Sequence, residues 1–134
     1  MAIPAGPLVP SDPLGVLLLS GAHDRVHYAF VLASGAAAIG REVIMFASNR
    51  GCLGFCTDWS ALDDSGRDAR VRQAGVVGLE ELRALTREIG VRLIACESGL
   101  RAENIDPALL LPDVEIAGIV TFLSAVGGGQ IVSI

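Results

Sequence analysis

Val91-Arg92-Leu93-Ile94-Ala95-Cys96-Glu97-Ser98-Gly99-Leu100 is the stretch on which the reading of the whole chain turns. Mostly apolar residues run into a cysteine, and turn formers follow at once. That is the pattern of a buried strand ending at Cys96, with the chain then bending toward a helix. In an open α/β sheet, a residue at the C-terminal end of a strand faces the crevice in which ligands bind. Backbone N–H groups of the following helix favour a thiolate there. The alternative for Cys96 is an inert buried cysteine, a common use of the residue.

Outward from that strand the pattern repeats. Residues 14–19, Leu-Gly-Val-Leu-Leu-Leu, are an unbroken apolar run closed by Ser20-Gly21. Such a run marks a parallel strand buried on both faces and predicts the centre of the sheet. Residues 22–39 read as a helix ended by Gly40. Its first turn carries His23, Asp24 and His27, and its second half is apolar nearly all round, so more than one side is buried. A second strand is expected over 42–47, then a loop over 48–64 rich in Gly, Cys, Asn and Asp. A short helix is expected within 64–74. Over 79–89, Leu79, Leu82, Leu85 and Ile89 share one helical stripe, Glu80 and Arg83 take the wet face, and Gly90 stops the helix. Pro107 breaks 100–110 into a short helix or turn. Residues 115–120 predict a fourth strand, 121–126 a short helix, Gly127-Gly128-Gly129 a turn and 130–134 a fifth strand. Alternating strands and helices imply a three-layer α/β sandwich with a mostly parallel five-stranded sheet. Residues 1–13, with four prolines, read as an N-terminal tail, and 14–134 as a single domain.

Composition narrows the function. The chain has 134 residues, of which 51% are hydrophobic but only 4% aromatic, so its apolar content is aliphatic and small. A monomer of this size cannot easily hide that much apolar surface, and a homo-oligomer is expected. The net charge of -5, with no basic run, excludes the usual nucleic-acid and membrane-surface binders. The 14–19 run is too short to span a bilayer and lacks a basic flank, which predicts neither signal peptide nor membrane helix and a cytoplasmic location. Three cysteines, an odd number, argue against a secreted disulfide scaffold.

Reactive side chains gather at three strand exits. His23 and His27 follow the first; Asn49, Arg50, Cys52 and Cys56 follow the second; Cys96 ends the third. In a doubly wound sheet these exits share one edge, so two histidines and three cysteines are expected around one crevice. His23 and His27, four apart, lie on one helix face, but Asp24 stands where the metalloprotease motif has Glu. Cys52 and Cys56 are spaced more loosely than the usual Cys-x₂-Cys of zinc and redox sites. A glycine-rich loop also lacks the rigid frame that tetrahedral zinc needs, so neither metal nor cofactor is expected. No phosphate loop and no nucleophile elbow is present.

Taken together, Leu17-Leu18-Leu19-Ser20-Gly21 with His27-Tyr28-Ala29-Phe30, the strand from Val43 to Ala47, Leu93-Ile94-Ala95-Cys96 with Gly99-Leu100, and Phe122-Leu123-Ser124-Ala125-Val126 make the chain resemble the DsrE/DsrF-like family of sulfur-relay proteins, over about residues 14–134. The resemblance implies a small α/β protein that forms oligomers, often trimers or hexamers. It implies a persulfide held on the cysteine that Cys96 matches, and a sulfur donor or acceptor protein as partner. Cys52 and Cys56 have no fixed counterpart in the relay members. Glu97, beside Cys96, opposes a thiolate, and Arg101 one turn on offsets it. The leading expectation is a sulfur carrier, a sulfurtransferase in that sense. The alternative is a non-catalytic oligomer that binds a small molecule or metal, or responds to redox state.

Overall fold

β1 (Leu14–Leu18) points Leu14, Val16 and Leu18 to one side of the sheet and Gly15 and Leu17 to the other. Both sides are covered, which is what an apolar run without alternation requires. The structure is a computed structural model and describes residues 12–134, so all but the last two residues of the expected tail lie outside it. β2 (Val43–Ala47), β3 (Arg92–Cys96), β4 (Glu115–Ala117) and β5 (Gln130–Ser133) complete a sheet in the order β4-β3-β2-β1-β5, with every pairing parallel. The middle strand is β2, buried along its whole length, rather than β1. β1 is interior but one place from the edge. The end of the chain covers its outer side, where Ile134 N–H donates to Leu17 O and Leu19 N–H to Ile134 O.

α1 (His23–Ala38) and α3 (Leu79–Glu88) cover the face presented by Leu14, Val16, Leu18, Met45, Leu93 and Ala95. α1 contributes Val26, Ala29, Phe30, Ala33 and Ala36 to that core; each buried Val or Phe contributes roughly 1.5–3 kcal/mol. The alanines let α3 approach closely, and α2 (Arg67–Gln73) packs outside α1. α3 is rotated from the predicted stripe. It buries Leu79, Leu82, Arg83 and Thr86, and leaves Leu85 50% and Ile89 41% exposed. The cause is Arg83, which leaves the expected wet face because its guanidinium donates to the carbonyls of Gly54, Cys56 and Thr57. Those carbonyls lie at and just past the end of a 3₁₀ segment, Asn49–Phe55, and those of Gly54 and Cys56 would otherwise be buried without this donor.

The opposite face carries α5 (Ile119–Val126), whose Phe122 and Val126 pack on Ile44, Phe46, Ile94 and Cys96. Phe46 and Phe122 stack with centroids 5.0 Å apart. Gly15 sits where α5 crosses β1, and a Cβ there would lie 2.6 Å from Val126 and 2.8 Å from Phe122. The fourth strand is shorter than expected. Gly118 caps α5, which begins at Ile119, so residues 119–120 are helical.

α4 (Glu97–Ala102) follows β3 without a break, and a 3₁₀ turn spans Pro107–Leu109. The expected loop over 48–64 is therefore partly 3₁₀. Thr57 N–H donates to Leu109 O and Leu111 N–H to Phe55 O, tying the segment after β2 to the segment after β3. Among the described residues, no helix is long and apolar enough to cross a membrane.

Candidate functional site

Cys96 is both the last residue of β3 and the N-cap of α4. Its side chain lies on the α5 face, clustered with Phe46, Ile94 and Phe122 and with Ala117 of β4. The residue is only 6% exposed. Burial pushes the thiol pKa up, but hydrogen bonds outweigh it. The hydroxyls of Ser48 and Ser98 and the backbone N–H groups of Gly99 and Ser98 all bear on the sulfur, and the net pKa lies below that of an ordinary thiol. Ser98 Oγ is 3.2 Å from Sγ. Two of these donors are free because the first turn of a helix has no intrahelical partner for its N–H groups.

Ser48 comes from the end of β2, and Gly99 admits it. A Cβ at Gly99 would stand 2.5 Å from Ser48 Oγ and from Asn49 N. The glycine thus allows the neighbouring strand exit to close on α4. Asn49 turns the chain there with φ 52°, a left-handed conformation that asparagine tolerates. Glu97 and Arg101 form an i,i+4 ion pair on the outer side of α4, so the carboxylate beside Cys96 has its counterion in place.

The other two thiols are held in the opposite state. Cys52 is buried on the α1 side of the sheet, and its Sγ donates to Ala47 O at 3.4 Å. Burial, helped by the neighbouring Cys96, pushes its pKa up to about 12. Cys56 Sγ donates to Cys52 O at 3.5 Å; burial raises its pKa while Arg83 pulls the other way. All three cysteines are free.

His23 and His27 stack with centroids 5.7 Å apart. Arg67 Nη1 donates to His23 Nδ1 (3.2 Å), which leaves Nε2 to donate to Asp68 Oδ1 at 2.8 Å. Asp68 also accepts from Leu79 N–H at 2.8 Å, so one carboxylate ties the starts of α1 and α3 to α2. His27 Nε2 donates to Val77 O at 2.8 Å. Among the described residues no three His, Cys, Asp or Glu side chains converge at metal-binding spacing.

No family model matches the sequence. Two proteins are similar along nearly their whole length. The sulfur carrier protein DsrE2 of Allochromatium vinosum is 25% identical, covering 88% of this chain and 94% of that one. YrkE of Bacillus subtilis is 23% identical, covering 87% and 92%. The ychN protein from E. coli has the same fold, with a TM-score of 0.64 at 8% identity over 92% of this chain and 99% of that one. MTH1491 from Methanobacterium thermoautotrophicum superposes with a TM-score of 0.54 at 18% identity, covering 92% and 100%. In sequence the chain is similar to a DsrE protein, and in fold to ychN and MTH1491.

The residues singled out from the sequence fall into two groups. Cys96, Glu97 and Arg101 lie together on β3 and α4, the Asn49 backbone abuts α4, and Cys52 lies beneath the same strand end. Cys56 sits farther along the 3₁₀ segment, while His23 and His27 hydrogen-bond to Asp68, Arg67 and Val77 and to no cysteine. The expected single crevice is thus a thiol site and a separate histidine latch. Arg50, the cation at the second exit, pairs with Asp63 at 3.0 Å. Sequence reasoning missed Ser48, Ser98 and Asp68 as functional or latching groups. The available signal was modest: hydroxyl residues one and two places beyond two neighbouring strand ends.

Proposed function

We propose that this chain is a sulfur carrier that holds a persulfide on Cys96. The observation that carries the proposal is the contrast among its thiols. At Cys96 the surrounding donors outweigh burial and lower the pKa, whereas at Cys52 and Cys56 burial prevails and raises it. The likeness to a relative named as a sulfur carrier supports the same reading. The step is a thiol–persulfide exchange. Cys96 thiolate attacks the outer sulfur of a donor hydropersulfide, a new S–S bond forms as the donor's breaks, and the donor leaves as its thiolate. Passing the sulfur to an acceptor thiolate repeats the exchange in reverse, with no net oxidation. Three free cysteines suit a reducing compartment, and the reading places the protein in the cytoplasm. Intact mass after incubation with a small persulfide donor tests it. Wild type, Cys52→Ala and Cys56→Ala are expected to gain one sulfur atom and Cys96→Ala none; gain by Cys96→Ala would sink the assignment.

The same reading makes the protein a homo-oligomer, a trimer or hexamer by family resemblance, with a sulfur donor or acceptor protein as its further partner. Its support is the α5 face. One eight-residue helix crosses that side of the sheet and leaves Val120 72% exposed, with Ile119 and Leu123 beside it and Ile131 on the adjoining edge strand. Light scattering at micromolar concentration is expected to give a multiple of the chain mass; a monomer there overturns this part.

A further inference from the structure

A cavity of about 540 Å³ lies where the 3₁₀ segment after β2, the C-terminal end of α4 and the Pro107–Leu109 turn meet. Cys96 does not line it. Leu53, Ile105 and Leu109 make its apolar walls, and Leu109 leaves 56% of its surface to solvent at the rim. That size, with apolar walls and a few polar groups, is ordinary for a small-molecule site. The one thiol in the wall, Cys56, is turned to the Cys52 carbonyl and raised in pKa, so the site is built for contact rather than covalent attack.

Among the described residues the charge on the walls has one sign, since Asp58 and Glu103 are the only ionisable lining residues besides Cys56. Asp58 accepts from Ser60 N–H at 2.9 Å, and the Ser60 hydrogen bonds hold its carboxyl below the ordinary range, so it is ionised at neutral pH. The cation beneath the wall, Arg83, is already engaged by the carbonyls of Gly54, Cys56 and Thr57 and by Glu80.

We propose that this cavity binds a small organic amine, with its ammonium toward Asp58 and Glu103 and its hydrocarbon body against Leu53, Ile105 and Leu109. The site is separate from Cys96 and does not depend on sulfur transfer. Titration of the full chain with hexylammonium, hexan-1-ol and hexanoate near neutral pH, followed by calorimetry, tests it. Hexylammonium is expected to bind roughly three- to tenfold more tightly than hexanoate, as two partly screened ion pairs allow, with hexanol between them and the difference shrinking in high salt. Ala108→Trp, which fills the exposed mouth, should abolish binding, and the isosteric Glu103→Gln should narrow the preference for the amine. Hexanoate binding as tightly as hexylammonium, no binding of hexylammonium at millimolar concentration, or unchanged binding by a folded Ala108→Trp protein each overturns the proposal.

Discussion

Cys96 and Cys52 lie at neighbouring strand ends and are both nearly inaccessible, yet their thiols are driven in opposite directions. Cys52 is on the α1 side, packed among aliphatic residues with one carbonyl to receive its proton, and its pKa rises to about 12. Cys96, on the α5 side, is just as firmly placed, but two hydroxyls and two backbone N–H groups face its sulfur. Burial alone therefore does not make a thiol inert here. What decides is how many donors oppose burial: two hydroxyls and two backbone N–H groups bear on Cys96, whereas the backbone N–H of Cys96 that bears on Cys52 does not offset its burial.

The largest effect that would break this contrast is expected from Arg83→Ala. Losing the guanidinium leaves the buried carbonyls of Gly54 and Cys56, and the part-buried one of Thr57, without this donor, a cost of about 3 kcal/mol or more. Denaturant unfolding should show that loss, and Cys52 and Cys56 should begin to label with iodoacetamide while the Cys96 rate hardly changes. Silent loop cysteines in a destabilised Arg83→Ala protein would mean that packing other than this clamp keeps them inert.

Ser48→Ala should act on the other side of the comparison with little change in stability. Removing a hydroxyl that favours the thiolate should slow Cys96 alkylation at neutral pH roughly three- to tenfold, with the pH–rate profile moving upward. An unmoved profile would show that the α4 backbone donors suffice without the neighbouring strand.

The smallest effect tests whether the same rule governs a carboxylate. Burial pushes the Asp68 pKa up, but the Leu79 N–H, His23 and Arg72 outweigh it, and the carboxyl ends below its ordinary value. A group whose folded pKa is depressed contributes stability that is present above its unfolded pKa, near 4, and lost as pH falls through the folded value. Wild type should therefore lose stability below about pH 4 more steeply than Asp68→Asn, as read by thermal unfolding across pH. Parallel curves for the two proteins would remove Asp68 from the account.

The α3 stripe shows where local reasoning went astray. Leu79, Leu82, Leu85 and Ile89 satisfy helical periodicity as well as the observed Leu79, Leu82, Arg83 and Thr86 do. The choice fell to carbonyls near residue 55, far from α3 in the chain, which needed a donor that only a buried arginine supplied. The histidines were misgrouped for a similar reason. Their spacing announced a shared face, but not that the face would meet Asp68 rather than a cysteine.

By itself the sequence determined the strands and helices in their order along the chain, the parallel α/β class and the placing of Cys96 at a strand end. Each of these follows from hydrophobic period and turn formers within a few residues of one another. Tertiary structure alone decided that β2 is the middle strand, that Arg83 faces inward and that Ser48 reaches the sulfur of a residue 48 positions away. Those outcomes depend on which segments become neighbours across the sheet, and no local period encodes a partner that distant in the chain.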